Sequence, residues 1–178
     1  MSAAREARRL LTATQIAAFC DVDLKTIHNW ADHGKIRGWR TTGRHLRFRR
    51  LDVVDFLRTY GFPIPNALRE SRPHIVAVDA DRDGLGWMRR TLGRRFEIIG
   101  FEHVVDGLVA LAEADPDVAL LGDVSPMDAQ TVAARLREVE ATRHVRVVSL
   151  GPAGGQGTVA RGDTAGLREV LERVTGLV

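Results

Sequence analysis

Cysteine is almost missing from this chain: Cys20 stands alone among 178 residues. An intramolecular disulfide is therefore excluded, and a cysteine-rich zinc site with it. Cys20 falls on an apolar helical face and is expected to be plain core. Long apolar runs are missing as well, since no stretch approaches the roughly 20 apolar residues of a membrane span. The opening MSAAREARRL has no extended apolar centre of the kind a secretory leader needs. These absences lead to the expectation of a cytoplasmic protein without membrane contact. Lysine is scarce, with only Lys25 and Lys35 among 26 basic side chains. The arginine bias suits bidentate phosphate and guanine contacts, and a GC-rich genome would produce the same bias.

What is present is unevenly spread. Residues 1–72 hold 14 Lys plus Arg against 7 acids, a charge of +7, whereas residues 73–178 hold 12 against 16, a charge of −4. A basic module joined to an acidic one argues for two domains, the first of them anion-binding. The charge peaks in KIRGWRTTGRHLRFRR, Lys35 to Arg50, which carries one Lys, six Arg and no acid. So many like charges repel one another unless a polyanion partners them.

The residues before this run prescribe a helical pair. Thr12 and Gln15 form a capping box, so a helix starts near Ala13 with Ile16, Ala17, Phe19 and Cys20 on one face. Asp23 offers a second N-cap, and a helix from Leu24 to about Asp32 turns Leu24, Ile27 and Ala31 inward with Trp30 closing the core. Lys25, Thr26, His28 and Asn29 are left facing outward. Gly34 suits a helix-ending position of positive φ. The chain then alternates around Thr41-Thr42-Gly43 as a two-stranded wing, and Leu51, Val53, Val54, Phe56 and Leu57 supply a third, closing helix before Gly61. Trp30, Trp39 and Phe48 are assigned to packing. His28 and His45 have no partner at metal-ligand spacing, and no metal is expected.

Through LTATQIAAFCDVDLKTIHNW, WRTTGRHLRFRR and LDVVDFL, about residues 10–61, the chain resembles the small winged helix-turn-helix modules of the MerR and excisionase type. The resemblance implies double-stranded DNA as partner. Lys25, Thr26, His28 and Asn29 would enter the major groove, and Arg40, Arg44, His45, Arg47 and Arg49 would serve the wing contact to backbone or minor groove.

Two Pro-bearing segments, FPIPN from Phe62 and SRP ending at Pro73, bracket an expected linker over residues 62–73, within which Asn66 to Glu70 has the composition of a helical turn. From Ile75 onward apolar strands and amphipathic helices alternate, which predicts a parallel α/β sandwich with acids at the strand ends. Asp81 and Asp83 also read as ordinary caps for the helix that follows. Through VDADRD, DVALLGDVSPMDA and Ser149 in VVSLG, residues 73–176 resemble the receiver domain of two-component response regulators. That family uses paired acids for magnesium, an Asp on the third strand as phosphoacceptor, a sensing hydroxyl, and a Lys on the fifth strand.

The chain departs from this pattern at nearly every point. The residue four before Pro126 is Gly122 rather than Asp, and Asp123 stands one residue late, which on a strand reverses the face. The acids are spread as Asp79 and Asp81, and Arg161-Gly162 stands where a Lys-Pro is expected. Asp79, Asp81, Asp123 and Ser149 are therefore expected to form a vestigial site. Only GPAGGQG separates Leu150 from Thr158, too short for the usual crossover, so the fourth crossover helix is expected to be missing and to leave apolar sheet for a partner to cover. GPAGGQG matches no phosphate-binding motif, so nucleotide binding there is not expected.

The expected whole is an α+β winged helix-turn-helix (residues 1–61), a linker (62–73) and an α/β flavodoxin-like receiver sandwich lacking its fourth crossover helix (74–178). Its expected function is a DNA-binding transcriptional regulator, nucleoid-associated, without enzyme activity or cofactor. The receiver-like part would form a homodimer or receive a regulatory protein. Two alternatives are an architectural, excisionase-like DNA-organising protein and an atypical response regulator phosphorylated at Asp123.

Overall fold

The computed structural model describes residues 10–70, 72–151 and 158–177. The chain divides into two units, Met1–Ser71 and Arg72–Val178. No helix among the described residues is long and apolar enough to cross a membrane.

The first unit runs β1 (Leu10–Thr12), α1 (Ala13–Cys20), α2 (Leu24–Asp32), β2 (Trp39–Arg40), β3 (Leu46–Arg49), α3 (Arg50–Thr59) and α4 (Asn66–Arg69). The capping box forms as its residues dictate: Thr12 Oγ1 accepts the Gln15 N–H at 3.2 Å, and Gln15 Oε1 accepts the Thr12 N–H at 2.9 Å. A left-handed Asp21 turns the chain, and Asp23 Oδ1 then caps α2 by accepting the Thr26 N–H at 2.7 Å. Gly34 takes φ +69° as α2 ends. In β3 Leu46 and Phe48 are buried while Arg47 and Arg49 alternate outward. Ile16, Cys20, Ile27, Phe48, Val53, Val54, Phe56 and Leu57 share one core, whose burial pushes the Cys20 thiol above its usual range.

Three expectations need correction. The wing is part of a three-stranded antiparallel sheet, order β1-β3-β2, because Leu11 pairs with Phe48 and closes the same core. Leu24 is exposed, since the inward row of α2 begins one turn later at Ile27. Finally, the segment after α3 is less a linker than an addition to the core. Phe62 and Ile64 pack on the core and Leu68 is buried in it. Trp30 and Phe62 have ring centroids 6.0 Å apart. Buried Arg50 donates from Nε and Nη2 to the Leu68 carbonyl at 3.1 and 2.6 Å. The prolines set an extended backbone without preventing its apolar residues from docking.

The second unit runs β4 (His74–Val78), α5 (Arg82–Leu92), β5 (Glu97–Phe101), α6 (Val104–Glu113), β6 (Val118–Leu121), α7 (Ala129–Glu138), β7 (Arg146–Gly151), β8 (Thr158–Ala160) and α8 (Thr164–Thr175). Its five strands are parallel in the order β5-β4-β6-β7-β8. Strands β4 and β6 are buried along their whole length, as a sheet covered on both faces requires. Leu85, Met88 and Leu92 of α5 and Leu167 and Leu171 of α8 pack one face. Leu111 of α6 and Val132, Ala133 and Leu136 of α7 pack the other.

The expected absence of a helix between β7 and β8 concerns residues 152–157, outside those described. The face of these strands opposite α5 and α8 is described, and it corrects the expectation of exposed apolar sheet. Val148, Leu150 and Val159 turn toward α5 and α8. Alternation therefore gives the other face Val147, Ser149 and Gly151, with Thr158 and Ala160 in register beside the last two. All five are half-buried, and Val147 is the only bulky apolar side chain among them.

Candidate functional site

The side chains singled out in the sequence fall into two sets, one in each unit. In the first unit α2 is fixed by its Asp23 cap and by Ile27 in the core. Lys25 and Asn29 are exposed on it, and Thr26 and His28 are half-buried. At the wing tip Arg44 has φ +60°. Its N–H donates to the Thr41 carbonyl at 2.7 Å, and the His45 N–H donates to Thr41 Oγ1 at 3.2 Å. Arg44 and His45 are thus exposed on a braced turn rather than on a loose loop.

Arg47 and Arg49 share the outer face of β3. Register sets Trp39 opposite Arg47, and the Arg49 guanidinium lies 4.7 Å from the Trp39 ring centroid. Trp39 is half-buried and serves as a cation-π platform outside the core cluster, not as core. Arg40 has a different orientation: it pairs with Asp32 at 3.0 Å and ties the wing to the end of α2. Exposed Lys35 and Arg37, on the connection from α2 to β2, were not singled out in the sequence. Their membership of the unbroken basic run was the available signal.

In the second unit Asp79 follows β4 and is fully buried. Its Oδ1 accepts the N–H groups of Asp81 at 3.0 Å and Asp123 at 3.2 Å, and Arg161 Nη2 at 3.1 Å. Arg161 Nη1 lies 2.9 Å from Asp81 Oδ2. One guanidinium, supplied from the residue after β8, thereby bridges both acids. Asp81 also caps α5 by accepting the Asp83 N–H at 3.0 Å, the structural role expected of it.

The carboxylate of Asp79 fills the space beside Gly122. A Cβ built there would lie 2.1 Å from Asp79 Oδ2, and one at Gly84 would lie 2.5 Å from the same oxygen. Exposed Asp123 is turned aside: its Oδ1 accepts Ser125 Oγ at 2.6 Å and the Ser125 N–H at 3.0 Å. Those bonds, with the nearby Arg161 charge, hold its carboxyl below the usual carboxylate range. The Ser149 hydroxyl makes no hydrogen bond among the described residues. The four residues expected to form the site are therefore not one constellation. Asp79 and Asp81 are joined by Arg161, whose partnership with an acid 82 positions away no local pattern announces.

Residues 10–60 match the family model described as "Helix-turn-helix domain". The first unit is a helix-turn-helix domain. The matched span contains all nine side chains assigned to DNA in the sequence. The second unit is similar in fold to response-regulator receiver domains. The receiver domain of a sensor histidine kinase from Pseudomonas aeruginosa PAO1, solved with magnesium in its active-site cleft, is 16% identical at a TM-score of 0.52, covering 60% of this chain and 99% of that one. A response regulator from Chloroflexus aurantiacus is 16% identical at a TM-score of 0.53, covering 60% and 99%. The chemotaxis response regulator CheY4 of Vibrio cholerae is 16% identical at a TM-score of 0.52, covering 58% and 99%. No curated protein matches the chain. A helix-turn-helix domain joined to a receiver fold suggests a DNA-binding regulator.

Proposed function

We propose that this protein is a sequence-reading, DNA-binding transcriptional regulator whose receiver-fold unit works without phosphoryl chemistry. The observation that carries the reading is the sorting of the helix-turn-helix domain into two faces. Ile27, Leu46 and Phe48 close its core, while Lys25, Asn29, Arg44 and His45 stand exposed. In this reading α2 enters the major groove, where Asn29 pairs with a base edge and Lys25 meets a base or phosphate. Arg44, Arg47 and Arg49 follow the adjacent backbone or minor groove.

The acidic cleft supports the second half of the proposal. Where the receiver pattern needs a cation-binding pair, Arg161 already neutralises Asp79 and Asp81. Where it needs a phosphoacceptor, Gly122 faces the Asp79 carboxylate. We assign no catalytic step to either unit. The second unit would instead pair two copies or receive a protein signal, since one small domain grips few phosphates and two held together gain by effective concentration. Equilibrium sedimentation of the full chain reports pairing as a dimer at micromolar concentration.

Fluorescence anisotropy on a selected duplex tests the DNA reading. Asn29→Ala is expected to relax base preference at one position by about 1–3 kcal/mol. Arg44→Ala should weaken binding to all duplexes and reduce the salt slope by about 0.9, one phosphate contact. Unchanged affinity, preference and salt slope in both variants would overturn the assignment.

A further inference from the structure

The acidic second unit contains a basic pocket that the DNA reading leaves unused. At the C-terminal end of α5 a cavity of about 500 Å³ is lined by Arg90, Thr91, Arg94, Arg95, Arg168 and Glu172, over buried Leu92 and Phe96. Four arginines and one glutamate thus line it, in a part of the chain whose sequence charge is −4.

Helix-end electrostatics account for part of this cluster, since Arg168 binds a carbonyl in the last turn of α5. Arg72 Nη2 donates to the Gly93 and Phe96 carbonyls just beyond that helix. Arg95 pairs with Glu172, so that carboxylate is used within the wall. Arg168 donates from Nε to the Thr91 carbonyl at 3.0 Å, which anchors its stem and leaves both terminal nitrogens unbonded among the described residues. The side chains of Arg90 and Arg94 make no hydrogen bond or ion pair among the described residues. Arg90, Arg94 and Arg168 therefore line the cavity without a carboxylate partner among the described residues.

We propose that this pocket binds a small phosphorylated anion carrying adjacent phosphates, of the inorganic pyrophosphate or nucleoside polyphosphate class. Planar guanidinium forks match phosphate oxygens bidentately. The cavity has the size of a small-molecule site. Three arginines without a carboxylate partner among the described residues favour a ligand of at least two negative charges. This site is independent of the DNA face.

The test titrates the full-length protein with inorganic pyrophosphate, following amide shifts by NMR and heat by calorimetry. The expected result is one site per chain, with shifts at Gly93 to Phe96 and tighter binding of pyrophosphate than of orthophosphate at equal ionic strength. The exposed pair Arg90→Gln/Arg94→Gln should lose at least tenfold in affinity with its melting temperature and DNA binding retained, and Arg168→Gln should lose a similar factor. Shifts confined to the wing, or an unchanged affinity in the double variant, would overturn the proposal. A duplex that moves the Gly93 to Phe96 amides at lower concentration than pyrophosphate would overturn it too, making the pocket a nucleic-acid backbone contact.

Discussion

Replacing Arg161 by methionine keeps much of the side-chain length and removes the only side-chain cation paired with Asp79 among the described residues. The carboxylate would keep its backbone donors from Asp81 and Asp123 but remain fully buried without a counter-charge. Removing one partner of a buried pair costs about 3–5 kcal/mol. Arg161 is 39% exposed, so water partly replaces it. The expected loss is therefore about 3 kcal/mol, at the low end of that range. In a domain of roughly a hundred residues this lowers the midpoint by about 12 °C. Differential scanning calorimetry of the full chain at pH 7 measures it. Asp79→Asn, which keeps the shape and discards the charge, should restore at least half of the loss when combined with Arg161→Met. A single variant melting within about 3 °C of the parent, or a double variant no more stable than the single, would refute the claim that Arg161 is the internal counter-ion.

Three further outcomes follow from the same geometry. Gly122→Ala drives a methyl into Asp79 Oδ2 and should destabilise the second unit by about 1–3 kcal/mol, read as a lower denaturation midpoint with unchanged slope. Incubation with acetyl phosphate and magnesium should add no mass to the intact chain; an added phosphoryl group that Asp123→Asn abolishes would instead establish phosphorylation there. Asp23 and Asp128 cap α2 and α7, and their bonds to Thr26 and Thr131 lower both carboxyl pKa values. A lowered folded value means that the stabilisation is complete above the unfolded carboxylate range and is lost as pH falls through the folded value. Thermal melts from pH 6 to pH 2 should accordingly show a smaller acid-side decline in Asp128→Asn than in the parent.

Local chemistry made much of the helix-turn-helix domain legible. The Thr12–Gln15 box, the Asp23 cap and Gly34 each act within a few residues, so the sequence displays them. Strand β1 was not visible because three residues show no period and their partner, β3, lies far along the chain. Arg50 belonged to a run read as charge for a polyanion, yet its guanidinium is buried against the Leu68 carbonyl. The prolines of the 62–73 segment signalled a hinge, whereas Phe62, Ile64 and Leu68 supplied the apolar contacts that docked most of it. In the second unit the strand and helix alternation was plain. The departure at Gly122 was also readable, but its physical consequence required the fold, because the oxygen that fills the space belongs to Asp79.

A sequence-reading regulator must select discrete DNA sites. Genome-wide occupancy of the full-length chain, compared with Asn29→Ala, measures this. Short recurrent motifs that weaken or change in the variant are the predicted result. Long continuous coverage, or an occupancy profile that Asn29→Ala leaves untouched, would contradict a sequence-reading regulator and point to a protein that coats or organises DNA.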